Sequence, residues 1–266
     1  MLDTTLHDHE FARFRQMIHR IAGISMSPAK KALVAGRLAK RLKHHGLSSY
    51  QDYFQLISKR QDELQVAVDL LTTNETHFFR EQKHFDFLRQ RVLPQRAAGR
   101  PFRIWSAASS SGQEAYSLAM LLADQLGEAP WEVFGSDIST KVLDKARAAL
   151  YAMEQANEIP PAYLKAYCLK GVGNQSGNFT LEPALRRRVR FQQINLNERL
   201  PQVGEFDVIL LRNVMIYFEA ETKQQVVARL VERLRPGGWF IVGHSESLNG
   251  LAHGLAAEQP SVYRKP

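Results

Sequence analysis

The sequence predicts an α/β fold: a parallel sheet covered by helices, preceded by a small all-helical domain and interrupted by a small antiparallel β insertion. Three observations predict it. Before residue 100 the apolar residues recur only at spacings of three and four, the helical period. From 100 onward, short alternating or wholly apolar runs exchange with helical segments, the pattern of a parallel sheet with helices on both faces. Within 167–191 that exchange breaks into three short strand-like pieces separated by Gly, Asn and Ser, which read as an antiparallel excursion.

The elements follow in order. HEFARFRQMIHRIAG places Phe11, Phe14, Ile18 and Ile21 on one helical face. Ser27-Pro28 reads as a helix start and Gly46 as the matching stop. YQDYFQLISKR and DELQVAVDLL continue the helical pattern, closing a domain over 1–71. A linker, TTNETHFFRE, and a helix over 82–97 fill 72–99. The α/β domain then spans 100–266. It reads as strand FRIWSAA, helix GQEAYSLAMLLADQL, strand WEVFGSD, helix TKVLDKARAAL, strands RVRFQQINL and FDVILLR, helix ETKQQVVARLVERL, and strands GWFIVGH and SVYRK. The nearly all-apolar FDVILL suits a central parallel strand.

Composition narrows the function. The chain has 266 residues, 44% hydrophobic and 23% charged, as soluble globular proteins do. It shows neither a secretory pattern at its start nor an apolar run of about 18 residues, so neither export nor a membrane span is expected. One cysteine, Cys168, excludes an internal disulfide and a cysteine-based zinc site. A cytoplasmic protein without a metal is expected. The net charge of +8 suits an acidic partner. Residues 161–195 hold six Lys/Arg against Glu182 alone, and 1–72 hold eleven against seven acidic residues.

Ligands of open parallel sheets bind beyond the carboxyl ends of the strands. The residues there are Glu114 after SSSG, Asp137, Asn195 and Leu196, Arg212 and Asn213, and His244-Ser245-Glu246. Asp137 lies 25 residues beyond Gly112, the place of an acidic residue that takes ribose hydroxyls; an N-cap reads equally well. SSSG has one glycine, not the three that let backbone approach a pyrophosphate. With Glu114 beside it, a cationic or zwitterionic ligand such as S-adenosylmethionine fits better. Stabilisation of a helix dipole is the plainer role for Glu114.

Five stretches then carry a resemblance: TTNETHFFRE (72–81), WSAASSSGQEAYSLA (105–119), SDIS (136–139), RNVMIYF (212–218) and GHSESL (243–248). In order and spacing the chain resembles the chemotaxis-receptor glutamate O-methyltransferases, the CheR type. The resemblance implies a Rossmann-like S-adenosylmethionine-dependent methyltransferase domain. The reaction implied is methyl transfer to glutamates of receptor cytoplasmic helices, with S-adenosylhomocysteine as product. It implies cofactor contacts at Asn74, Thr76, Arg80, Glu114, Asp137, Asn195, Leu196, Arg212 and Asn213. It also implies action of Arg80 and Tyr217 on the substrate carboxylate. TTNETHFFRE would be a lid over the cofactor. The chain departs from the family's first loop, A-C-S-T-G-E-E-P-Y-S, at Ser109, Ser111, Gln113 and Ala115, and retains Glu114.

Two basic surfaces are candidate partner sites. Lys30, Arg37, Arg41 and His44 fall within an arc of roughly 60° on one helix, beside a Val34, Leu38 and Leu42 stripe. This face reads as a solvated surface or as a cradle for an acidic receptor helix bundle. Arg187 and Arg188, in the cluster 186–190, suit a receptor C-terminal peptide captured by strand addition at the β insertion, for which the family offers a precedent. A monomer is expected, with neither nucleic acid nor membrane insertion. A nucleic-acid methyltransferase commonly carries a [DNS]-P-P-[YFW] loop where this chain has Arg212-Asn213-Val214, and ranks lower. A non-enzymatic S-adenosylmethionine-binding scaffold is the other alternative.

Overall fold

A computed structural model describes residues 5–266. Four helices form the amino-terminal unit: α1 (Asp8–Ala22), α2 (Lys31–His44), α3 (Tyr50–Lys59) and α4 (Gln61–Leu71). Helix α1 ends at Gly23, whose φ of 70° is left-handed and where an added Cβ would meet the Thr222 side chain at 2.5 Å. Only glycine lets the chain pass there. The Val34, Leu38 and Leu42 stripe is buried with Phe14, Ile18, Tyr50 and Tyr53, as its spacing predicts.

The basic arc of α2 does not lie free beside that stripe. Arg41 donates through Nε (2.8 Å) and Nη2 to the buried carboxylate of Glu63, which also accepts from the Tyr53 hydroxyl at 2.8 Å. Arg37 donates to the carbonyl of Thr72 at 2.9 Å. Arg41 thus spends its charge on Glu63, whereas Arg37, bonded among the described residues only to backbone carbonyls, keeps its net positive charge. A periodic arc reports which face a residue occupies, not that Glu63, on another helix, takes its charge. Burial would raise the Glu63 carboxyl, but Arg41, His45 and Tyr53 hold it down at about 2. The stability this gives is fully present above its ordinary 4.5 and is lost as pH falls through about 2. Glu63→Gln should cost about 3 kcal/mol at pH 7. In urea titrations the difference from the parent chain should narrow steadily as pH drops from 4.5 toward 2.

After the linker come α5 (Gln82–Phe87), a π turn (Leu88–Val92) and a 3-10 turn (Leu93–Gln95), where Pro94 ends the segment. The alternating part supplies β1 (Phe102–Ser106), α6 (Gln113–Leu126), β2 (Trp131–Asp137) and α7 (Thr140–Ala148). Next are β3 (Leu150–Ala152), α8 (Pro161–Tyr167), β4 (Cys168–Lys170), β5 (Asn178–Leu181), α9 (Pro183–Arg186) and β6 (Val189–Gln193). The chain closes with β7 (Phe206–Leu211), α10 (Ala220–Glu232), β8 (Leu234–Val242), β9 (Ala256–Gln259) and β10 (Val262–Arg264). The main sheet has the order β6-β2-β1-β7-β8-β10-β9; β6 through β8 are parallel, and β10 and β9 are antiparallel additions. The central β7 is buried at every position.

The antiparallel insertion differs from the expected 167–191. Its sheet is β3-β5-β4, so it begins at Leu150, and the third strand-like piece, β6, belongs to the main sheet beside β2. The entrance to β3 carried no signal because the chain turns at Ala149 with φ 52°, a conformation that usually selects glycine. Strand β9 was equally silent, being exposed at all four positions.

The helical unit is fastened to the sheet domain at both ends. Asp69 accepts from the Thr140 amide (3.0 Å), the Thr140 hydroxyl (2.8 Å) and the Lys141 amide (3.2 Å), capping the start of α7. Beyond α1, Ile24 makes an antiparallel bridge to Phe218, and the Ser25 amide donates to the Tyr217 carbonyl at 2.8 Å.

Candidate functional site

A cavity lies beyond the carboxyl ends of β1, β2 and β7, between them and the helical unit. This is where a doubly covered parallel sheet opens at its switch point. Its floor is built by the turn after β1. The Ser109 amide donates to the Ser136 carbonyl (2.8 Å) and the Ser110 amide to Asp137 Oδ2 (2.9 Å). Gly112, at φ 95°, starts α6, and an added Cβ would meet Ala146 at 2.9 Å.

Glu114 points back from the first turn of α6. It accepts from Ser106 Oγ at 2.6 Å and from Arg212 Nη1 at 2.8 Å. Burial raises its carboxyl above the ordinary 4.5, with Arg212 and Ser106 opposing. Arg212, whose side chain is 1% exposed, also donates to Glu81 at 3.0 Å and to the carbonyl of Arg80. One guanidinium thus sits between two carboxylates and the linker backbone. Burial would raise Glu81 as well, yet Arg212 and Asn213 bring it down to about 2. Asn213 is left-handed, at φ 56°. Its amide and those of Ile216 and Gly243 donate to the buried Glu246 at 2.7, 3.2 and 2.8 Å, which shapes the loop bearing Tyr217. Burial, then Arg212, lowers His84 to about 3, and its neutral ring Nδ1 faces Glu81 at 3.4 Å.

Asp137 accepts from both the Ser110 and the Ser139 amide, each at 2.9 Å. Burial raises it to about 6, these amides opposing. Two of its four lone-pair positions stay available, which suits a pair of vicinal hydroxyls. The linker crosses the cavity. The Asn74 carbonyl accepts from Ser110 Oγ at 2.8 Å, and the Asn74 side chain donates to Thr72 Oγ1 at 3.1 Å. Phe78 and Phe79 are buried in the sheet domain, their amides held by Glu158 and Ser117, each at 2.9 Å. Just past these anchors the Arg80 side chain keeps, among the described residues, one weak hydrogen bond, to the Glu75 carbonyl at 3.3 Å, and reaches the cavity wall.

Comparison with known proteins agrees with this architecture. The description "CheR methyltransferase, all-alpha domain" matches residues 9–72, and "CheR methyltransferase, SAM binding domain" matches 74–262. The chain belongs to the CheR methyltransferase family. Among its relatives, Chemotaxis protein methyltransferase 2 of Pseudomonas aeruginosa is 40% identical over 257 residues, 96% of this chain and 92% of that one. Chemotaxis protein methyltransferase of Escherichia coli is 40% identical over 263 residues, 97% of this chain and 91% of that one. The sheet domain is accordingly an S-adenosylmethionine-dependent methyltransferase domain, and the protein an enzyme.

The CheR fold brings most of the expected residues together. Asn74, Thr76, Arg80, Glu114, Asp137, Asn195, Leu196, Arg212, Asn213 and Tyr217 all line the one cavity. Two of them act differently from a simple ligand contact. The Asn195 amide donates to the Ile21 carbonyl (2.7 Å) and Glu198 (2.8 Å), so its side chain joins the two domains. Arg212 is consumed by Glu81, Glu114 and the Arg80 carbonyl. Lys30 and Arg37 also line the cavity, at its helical wall. Arg188 donates to the Ala129 carbonyl at 2.9 Å and lies 4.8 Å over Trp131, at the opposite end of the main sheet; Arg187 beside it is exposed. Sequence reasoning passed over Glu81 and Ser106, and placed Glu246 at a strand end without giving it a role. Glu81 stood inside TTNETHFFRE, but neither strand-end position nor period marks a residue whose partner is another side chain.

Cofactor affinity should depend on the protonation of Asp137. Above about pH 6 it is an ionised acceptor; below, it is neutral, one oxygen becomes a donor, and its bonds to hydroxyls lose their charge assistance. Calorimetric Kd for S-adenosylhomocysteine should be flat from pH 7 to 8 and weaken up to about tenfold per unit below pH 6. Asp137→Asn should remove this dependence.

Proposed function

We propose that this CheR-family enzyme transfers the methyl group of S-adenosylmethionine to glutamate side chains on the cytoplasmic helices of chemoreceptors. The observation that carries the reading is Arg80, an almost unengaged cation at the wall of the cavity that also holds Glu114, Asp137 and Tyr217. S-adenosylmethionine supplies an electrophilic methyl on a sulfonium. A glutamate with a pKa of about 4.3 arrives ionised, so no general base is needed. Its oxygen forms the bond to the methyl carbon as the sulfur–carbon bond breaks, giving the ester and S-adenosylhomocysteine.

Opposite charges diminish along this path, so a closed, water-poor site favours it. Asp137 and Glu114 suit the ribose hydroxyls and the amino group of the cofactor. Arg80 aligns the acceptor carboxylate without binding it tightly, and Tyr217 walls the same pocket. Lys30 and Arg37, on the helical wall, favour an acidic acceptor helix. Strand β4 lies at an edge of its sheet and leads to Val172, 82% exposed, so it suits a receptor C-terminal peptide added as a further strand. A monomer working in the cytoplasm fits this task. Among the described residues no helix is long and apolar enough to cross a membrane.

Radiolabelled S-adenosylmethionine and receptor-bearing membranes test the reading. Label on a receptor band, released by alkali as methanol, is the expected result. Label that resists alkali, or that follows nucleic acid, would overturn it.

A further inference from the structure

Arg80 sits between two residues in left-handed conformation, Phe79 at φ 51° and Glu81 at φ 60°. Neither is glycine, and each such residue costs about 1–2 kcal/mol. A bracket of this kind persists only where its neighbours enforce it. Phe79 is enforced by its buried ring and by Ser117 Oγ, which accepts its amide at 2.9 Å. Glu81 is held by its carboxylate, whose Oε1 accepts from Asn213 at 3.1 Å and Oε2 from Arg212 at 3.0 Å, and by its carbonyl, which accepts the His84 amide at 3.0 Å as the following helix starts. Arg212 simultaneously holds the Arg80 carbonyl and, at 2.8 Å, Glu114.

We propose that Glu81 is a positioning residue that couples occupancy of the Glu114 pocket to the placement of Arg80. The coupling rests on the reading above in which Arg80 meets the acceptor carboxylate. Two carboxylates share one guanidinium. A cationic amino group delivered to Glu114 competes with Arg212 for that carboxylate. Arg212 then turns its charge toward Glu81 and the Arg80 carbonyl. The backbone under Arg80 is thereby stiffest when the methyl donor is bound, and the acceptor is aligned only in that state. Arg80 needs no contact with the donor for this to work.

A double-mutant cycle tests it. Turnover of radiolabelled methyl onto receptor membranes is measured for Glu81→Gly and Arg80→Ala, singly and together, with S-adenosylhomocysteine affinity by calorimetry. Glycine accepts φ 60° without strain, so Glu81→Gly removes the carboxylate but leaves the backbone conformation open to it. The expected result is a kcat lowered roughly tenfold to a hundredfold with Glu81→Gly. In the Arg80→Ala background the same substitution should cost less than about twofold, because its action passes through Arg80. The isosteric Glu81→Gln, which keeps the bond from Asn213 but not the charge, should fall between parent and Glu81→Gly. Equal fold-losses in both backgrounds would make Glu81 merely structural and overturn the coupling while leaving Arg80 catalytic. Unchanged turnover in Glu81→Gly would overturn it as well. Full turnover in Arg80→Ala would overturn the role of Arg80 itself, and the coupling with it.

Discussion

Arg212→Ala should abolish measurable cofactor binding and lower the unfolding free energy by about 3–5 kcal/mol. The reason is what it leaves behind. Glu81 and Glu114 both rest on this guanidinium, and among the described residues Glu81 has only the neutral His84 ring as a further basic neighbour. Without it, two carboxylates remain in a poorly solvated space, and the Arg80 carbonyl loses its donor. Removing one partner of a buried pair costs more than the pair contributes, because the surviving charge keeps its desolvation penalty. The sign of the pH response follows. Stranded carboxylates take up protons more readily, so the deficit of the variant should shrink as pH falls below about 5, whereas the parent chain loses the stability given by Glu81 only as pH falls from 4.5 toward about 2. Arg212→Lys should recover a minor part of the loss, since one ammonium cannot span both carboxylates and the carbonyl in the fixed geometry of the fork. Urea unfolding at pH 7 and pH 5, together with an S-adenosylhomocysteine isotherm, measures all three. A variant as stable as the parent at pH 7 would mean that water already screens these carboxylates.

The same hub shows where reading the sequence succeeds and where it stops. Glu114, Asp137, Arg212 and Asn213 were legible because a parallel sheet places ligands at its strand ends, and the alternation of runs locates those ends to within a residue or two. FDVILL, apolar throughout, gave the buried centre of the sheet away. Partnership between side chains far apart in the chain leaves no such trace. Nothing in the run VAGRLAKRL tells that Arg41 meets Glu63 on another helix, or that Arg37 holds the Thr72 carbonyl. The arc looked like a free surface because period sets orientation and is silent about neighbours. The insertion was misplaced for a similar reason. Its first strand, Leu150–Ala152, pairs only with residues 178–180 and is entered through a left-handed alanine. TTNETHFFRE showed its polar groups plainly, but not that Glu81 faces inward to Arg212 while Arg80 faces the cavity.

Arg80→Ala should lower kcat for receptor methylation by about a hundredfold while changing cofactor affinity much less. The fold does not depend on this side chain: among the described residues its one hydrogen bond is a 3.3 Å contact to the Glu75 carbonyl. Its loss must therefore appear in function and not in stability. A hydrogen bond to a charged group contributes about 1.5–3 kcal/mol, roughly ten- to more than a hundredfold in rate if it is made fully in the transition state. The acceptor loses negative charge as the ester forms, so an arginine that clamped it tightly would favour the ground state over the transition state. The single weak contact of Arg80 is what such chemistry asks for: a cation free to orient a carboxylate and to slacken as the charge disappears. Arg80→Lys distinguishes alignment from charge. A point charge that cannot present a planar fork should recover acceptor binding, seen in KM, but little of kcat. If calorimetry instead shows that Arg80→Ala abolishes S-adenosylhomocysteine binding, Arg80 serves the cofactor, and alignment of the acceptor falls to Tyr217 and the wall of the pocket.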